Sequence, residues 1–228
     1  MGATATADRP NAFGGYMTIV KAPTSAINSA TVTAIRSDNS LRLNVSNTKL
    51  MVTPEQFDQL CLDNPELRLE LTKDGELVVM APTGGESGKR NFNLALELGI
   101  WNRQTDLGEA FDSSTGYDFG AIGGGKMSPD VSWIEKSRLV GVEIVGFIPI
   151  VPDFVIELRS AMDSLPPLQE KMLEYQRLGV KLGLLINPQN QQVEVYRLGQ
   201  DPMVLARPSA VDCGEIMPGF MLSMSRMW

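Results

Sequence analysis

The chain has 228 residues, 43% of them hydrophobic, enough for one domain with a sizeable core or one domain plus a tail. It contains no histidine. That excludes Ser-His-Asp triads, Cys-His pairs, histidine-ligated zinc and histidine acid–base chemistry, and leaves carboxylates with a hard cation such as magnesium as the natural catalytic set. A formal net charge of −7 argues against tight non-specific binding to nucleic acid, unless basic groups cluster locally or metal ions offset the carboxylates of a site.

No apolar run reaches the roughly 18 residues of a membrane span, and the N-terminus lacks the layout of a signal peptide. Cys61 and Cys213 lie far apart and fit no metal-ligand spacing. A cytoplasmic protein without membrane attachment is the expectation.

Residues 1–48 are rich in Ala, Thr, Ser and Asn with weak periodicity. They are expected to form a disordered N-terminal extension, with Leu41–Val45 as a short strand and Met17 as an alternative start. Residues 49–228 are expected to form one domain. Thr53, Pro54 and Gln56 supply an N-cap, a first-turn proline and a capping box for a helix. Two apolar runs around Lys73-Asp74-Gly75 predict a β-hairpin. "ESGKRNFNLALELGIWNRQ" predicts an amphipathic helix with Phe92, Leu96, Gly99 and Ile100 on one face. "GEAFDSSTGYDFG" and "KMSPDVSWIEK" read as strands around a glycine-rich turn, followed by a strand from Phe154 to Arg159. A helix from Pro166-Pro167 to about Leu178 stops at Gly179. "KLGLLINP" and "QQVEVYRL" are two further strands. The expected class is α/β with a mixed sheet flanked by helices, including a helical crossover between parallel strands.

The stretch "VPDFVIELRS" places Glu157 among apolar residues, and a buried carboxylate needs a partner. Asp153 stands four residues earlier on the same strand, roughly 13 Å away at about 3.3 Å per residue. It is too far to share a magnesium ion and reads as a residue at the start of the strand. Asp130 in "MSPDVSWIE" is the alternative. If that strand pairs with the Glu157 strand, the two carboxylates converge, and the Leu158 carbonyl adds a third oxygen. The competing reading makes Asp130 a turn residue and Glu157 part of a structural ion pair with Arg159.

Ser128-Pro129-Asp130-Val131-Ser132-Trp133, Pro152 to Ser160, Leu168 to Tyr175 and Leu185-Ile186-Asn187-Pro188 together resemble the Uma-type restriction endonuclease family of bacteria, within the PD-(D/E)XK nuclease superfamily. Glu70-Leu71 with Asp74 to Leu77, and "MPGFMLSM" near the end, extend the resemblance over roughly residues 50 to 228. It implies a restriction-endonuclease-like core in which Asp130 and Glu157 match the family's two metal-binding carboxylates. The superfamily lysine that stands two residues after the glutamate is replaced here by Arg159. Arginine can stabilise a phosphoryl group but is a poor proton acceptor. Lys171 on the next helix is the candidate substitute, with an ordinary solvated lysine as the alternative. Glu70 matches a family glutamate near the metal, with a solvated strand glutamate as the alternative. Two departures stand out: Ala161-Met162-Asp163 replaces Pro-Ser-Asp, and Ile186-Asn187-Pro188 replaces Ile-Asp-Pro.

"MAPTGGESGKRN" imitates a phosphate-binding P-loop, but Thr83 stands where its first glycine belongs and Arg90 where its hydroxyl residue belongs. The start of that helix, with Lys89 and Arg90, still suits a phosphate backbone. Trp101, Trp133 and Tyr175 read as core. The resemblance implies a DNA endonuclease dependent on Mg2+ or Mn2+, acting as a homodimer, with Asp130 and Glu157 as ligands and Lys171 ahead of Arg159 as the charge stabiliser. The alternative is a catalytically silent protein of the same fold that binds or assembles.

Overall fold

The computed structural model describes residues 48–228, so the expected extension, apart from Thr48, lies outside the described residues. Its elements are α1 (Pro54–Asp63), β1 (Arg68–Leu71), β2 (Leu77–Met80), α2 (Gly85–Thr105), β3 (Gly108–Asp112), β4 (Tyr117–Asp118), β5 (Lys126–Met127), β6 (Val131–Glu135), β7 (Phe154–Leu158), α3 (Leu165–Leu178), β8 (Leu182–Asn187), β9 (Gln192–Arg197), β10 (Met203–Ala206), β11 (Ala210–Asp212) and β12 (Met221–Ser223).

Local chemistry accounts for the boundaries. The Gln56 N–H donates to Thr53 Oγ1 at 3.3 Å, and the Thr53 N–H donates to the Gln56 side chain at 2.9 Å, so the capping box closes α1. Pro54 opens that helix at no cost in hydrogen bonds. Gly179, at φ 104°, ends α3 in the left-handed conformation that glycine adopts without strain.

A six-stranded sheet runs β10-β9-β8-β7-β6-β3. β7 and β8 are parallel and joined through α3, and the other neighbours are antiparallel. A four-stranded sheet runs β2-β1-β5-β4, and β11 pairs with β12. The stretch read as one strand, "MSPDVSWIE", is in fact two: β5 belongs to the smaller sheet and β6 to the larger. Pro129 has no N–H for a ladder and marks the break, so the chain changes sheets just before Asp130.

Period-two alternation sorts β7 between two cores. Phe154, Ile156 and Leu158 pack with Leu94, Leu98 and Trp101 of α2. Val155 packs on the opposite side with Met172 and Tyr175 of α3. Glu157 shares the face of Val155 and so points toward α3. Each fully buried Leu or Phe contributes roughly 1.5–3 kcal/mol, which makes both helices dependent on this sheet.

The buried face of α2 differs from the expected one. Phe92, Leu96 and Ile100 are 67%, 45% and 49% exposed, while Leu94, Leu98 and Trp101 are buried. The helix carries two apolar stripes, and periodicity does not say which meets the sheet. The stripe with the largest side chain wins. Trp101 packs edge-on to Trp133 at 5.6 Å and lies 5.3 Å from Phe220.

Gly125 stands where β5 meets β1, and a Cβ there would lie 1.9 Å from the Leu71 carbonyl oxygen. Gly125→Ala is expected to lower stability by at least ~1–3 kcal/mol in urea unfolding, because backbone must move. Gly99, inside α2 with nothing within 4 Å of an added Cβ, is the control: Gly99→Ala is expected to raise stability by up to about 1 kcal/mol.

Candidate active site

Four carboxylate and ammonium side chains from four parts of the chain meet at one end of the large sheet. β6 and β7 pair with Val131 opposite Ile156. Asp130 stands one residue before this ladder and Glu157 one residue beyond Ile156, so both carboxylates lie at the end where β6 and β7 part. The Leu158 N–H donates to Asp130 Oδ2 at 2.8 Å. Pro129, one step further again, carries no N–H and cannot occupy the Leu158 carbonyl.

Lys171 reaches this pair from α3. Its Nζ lies 2.9 Å from Glu157 Oε1, 2.9 Å from Glu70 Oε1 and 3.1 Å from the Ser128 carbonyl, which uses all three of its protons. Glu70 on β1 also accepts the Ser128 N–H at 2.8 Å, so it clamps the segment that leads to Asp130. Tyr175, one helical turn after Lys171, donates its hydroxyl to Glu157 Oε1 at 3.2 Å. Both polar contacts of Glu157 therefore fall on Oε1.

The first turns of α2 close the other side. Asn91 Nδ2 donates to Asp130 Oδ1 at 3.2 Å. Ser160 in the β7–α3 loop donates to Ser87 Oγ at 2.8 Å and lies 3.2 Å from Thr83 Oγ1. Gly84, the N-cap of α2, makes no side-chain cap hydrogen bond.

The structure thus brings together Asp130, Glu157, Lys171 and Glu70. Glu157 is 4% exposed and Glu70 6%. The readings of Glu70 as a solvated strand residue and of Lys171 as a solvated helix residue do not hold. Arg159 does not join them. It donates to the Asp163 carbonyl at 3.1 Å and to Asn187 Oδ1 at 3.3 Å, so the ion pair of Glu157 is with Lys171 and not with Arg159. Asn187 in place of aspartate keeps an oxygen for Arg159 but leaves its buried Nδ2 without a partner. Asp153 is fully buried away from the site, paired with Arg138 at 2.7 Å and Lys181 at 2.8 Å. Burial works to raise its pKa, but the Glu135 N–H, Lys181 and Arg138 outweigh burial and hold the carboxyl below its ordinary value.

Asn91 is the site residue that sequence reasoning missed. The available signal was a polar residue three positions before Leu94, on the stripe that turns out to be buried. Choosing the other stripe hid it. Tyr175 was read as core, and it is fully buried, but its hydroxyl serves Glu157.

Burial pushes the Glu157 pKa up to about 8, and the Lys171 ammonium pulls it back only in part, while Asp130 and Glu70 add repulsion. Burial also raises Asp130, against the pull of the Leu158 N–H and Lys171. Lys171 loses charge stability to burial, but Glu157 and Glu70 outweigh that and raise its pKa. Among the described residues no three His, Cys, Asp or Glu side chains are placed to share one metal ion. Glu70 spends its Oε1 on Lys171 and Ser128, as Glu157 spends its Oε1 on Lys171 and Tyr175, and the pair that the sequence reading assigns to a cation is Asp130 and Glu157. Two carboxylates with water or carbonyl oxygen suit magnesium, which keeps several of its waters.

The Glu157 shift sets a pH dependence. Its folded pKa of about 8 exceeds the ordinary 4.5. The stabilisation that comes from burying it neutral is complete below the lower value and lost as pH rises through the upper one. In chelator, the wild type is expected to lose melting temperature relative to Glu157→Gln between about pH 5 and pH 8.5. A difference that stays flat, or a wild type that gains melting temperature on the variant over that range, would contradict the raised pKa.

Residues 54–225 match the family described as "Uma2: Putative restriction endonuclease". No curated protein matches the chain. Among solved structures, the fold is similar to that of a protein from Anabaena variabilis ATCC 29413, described as a "putative nuclease belonging to DUF820". The TM-score is 0.62 at 23% identity, over 71% of this chain and 90% of that one. With 172 of its 228 residues spanned by the family match (225 − 54 + 1), the chain belongs to the Uma2 family.

Proposed function

We propose that the chain is a metal-dependent endonuclease of the PD-(D/E)XK type that hydrolyses phosphodiester bonds of DNA. The observation that carries this reading is the meeting of Asp130, Glu157 and Glu70 around Lys171, whose ammonium lies 2.9 Å from both glutamates. Asp130 and Glu157 would hold Mg2+ or Mn2+, with the Leu158 carbonyl as a further oxygen. The cation supplies a Lewis acid that lowers the pKa of a water and offsets phosphate charge. Asp130, Glu157 and Glu70 meet a single lysine ammonium, so ionising all three leaves an excess of negative charge that favours a cation.

The protein's own groups then divide the work. The Leu158 N–H and Asn91 orient Asp130, and Lys171 and Tyr175 orient Glu157. Lys171 has one neutral partner, the Ser128 carbonyl, and gives that one up to a phosphoryl oxygen whose negative charge grows in the transition state. The start of α2 lies beside the site, and Lys89 and Arg90, both paired there with Glu86, would turn to the flanking phosphates. Arg159 fastens the β7–α3 loop to Asn187 and stands outside the chemistry.

A silent binding module of the same fold is the second reading, supported by Arg159 facing away from the carboxylates. Nicking of supercoiled plasmid with Mg2+ or Mn2+ separates the two. The wild type is expected to cut and to stop in chelator. Asp130→Ala, Glu157→Ala and Lys171→Met are each expected to cut at least about a hundredfold more slowly. Full cleavage by both carboxylate variants removes the site assignment, and an inactive wild type that binds no metal favours the silent module.

A homodimer belongs to the same reading, with Phe92, Leu96 and Ile100 of α2 as the apolar surface to bury. Light scattering is expected to give a dimer mass for the wild type and a monomer mass for Leu96→Glu. A wild type of monomer mass ends that part of the reading. Among the described residues no helix is long and apolar enough to cross a membrane.

A further inference from the structure

Asn91 does two things that an ordinary helix–sheet contact does not require. Its Nδ2 donates to Asp130 Oδ1 at 3.2 Å, while the Leu158 N–H holds Asp130 Oδ2 at 2.8 Å, so both oxygens of that carboxylate are fixed from outside. Its own Oδ1 is buried with no hydrogen-bond partner among the described residues. An ionised carboxylate only accepts, so the amide must turn its nitrogen to Asp130 and leave its oxygen elsewhere. Buried polar atoms in folded proteins are nearly all paired, and an unpaired one marks a missing donor. Among the described residues none supplies that donor.

We propose that Asn91 is a positioning residue of the cation site. Its Nδ2 sets the orientation of Asp130, and its Oδ1 accepts a hydrogen bond from a water that a divalent cation carries into the site. This rests on the metal-dependent reading of Asp130 and Glu157 and adds to it a residue from α2, an element that contributes no ligand. Groups that orient metal ligands typically change metal affinity about 10- to 100-fold when removed. Asn91→Leu, close in size and without polar atoms, removes the amide oxygen together with the hydrogen bond to Asp130, whose Oδ1 then lacks its donor in the metal-free protein.

The test is calorimetric titration of Mn2+ into the full chain, alongside thermal melting of each metal-free protein. Asn91→Leu is expected to bind Mn2+ at least about tenfold more weakly than wild type, at a melting temperature within a few degrees of it. A residue that only tied α2 to the sheet would move the melting temperature and leave the affinity of the folded protein alone. If Asn91→Leu does not fold, Asn91→Ser is titrated to the same criterion. Binding by the folded variant within about twofold of wild type overturns the proposal and leaves the metal site standing. A wild type that takes up no Mn2+ overturns the metal site itself and this proposal with it, and the wild-type trace alone tells that outcome apart.

Discussion

The Lys171 ammonium divides its three protons among Glu70 Oε1, Glu157 Oε1 and the Ser128 carbonyl. Those acceptors come from β1, from β7 and from the segment that crosses between the two sheets, and the lysine comes from α3. A buried charge without a partner is costly, and removing one member of a buried pair typically costs 3–5 kcal/mol. The chain can satisfy this lysine only by holding α3 over β7 and bringing the small sheet against the end of the large one. Glu70 carries the second half of the constraint, because it also holds the Ser128 N–H and so fixes where the chain leaves β5.

That crossing decides the site. Pro129 ends one ladder and withholds its N–H from the next, so β6 starts only at Val131, opposite Ile156, and Asp130 is left at the open end of the pair. Had a residue with an N–H stood there, the ladder could have continued, and the Leu158 N–H and carbonyl would have been free to bond backbone. Instead the N–H goes to the Asp130 side chain.

Much of this was legible because it depended on short-range rules. The α1 cap, the β1–β2 hairpin and the end of α3 at Gly179 follow from a few adjacent residues. The rejection of Asp153 followed from strand rise alone, and its ion pairs with Arg138 and Lys181 show what it does instead. The pairing of Asp130 with Glu157 needed one long-range assumption, that two strands were neighbours, and β6 and β7 are. What was not legible depended on choices between equivalent patterns. α2 has two apolar stripes, and only the sheet surface, with Trp133 and Phe220 waiting for Trp101, selects between them. Asn91 was hidden by that choice. The burial of Glu70 was hidden because a glutamate on a hairpin looks solvated until the lysine that faces it, 101 residues later, is placed.

The two carboxylates of the pair are not equivalent, and the difference bears on how an acidic chain could act on a polyanion. Glu157 is buried and presents its Oε1 to Lys171 and Tyr175, whereas Asp130 keeps partial exposure and faces the start of α2. With three carboxylates against one ammonium, the cluster alone would repel a phosphate. Under the proposed reading a divalent cation reverses that sign at the one place where the substrate must come close, and the buried Glu157 gains the counter-charge that burial denies it. Cation binding, ionisation of Glu157 and approach of the phosphate then favour one another. A net charge of −7 is compatible with such a chain, since the attraction it needs is local, within the roughly 8–10 Å over which charges act in salt.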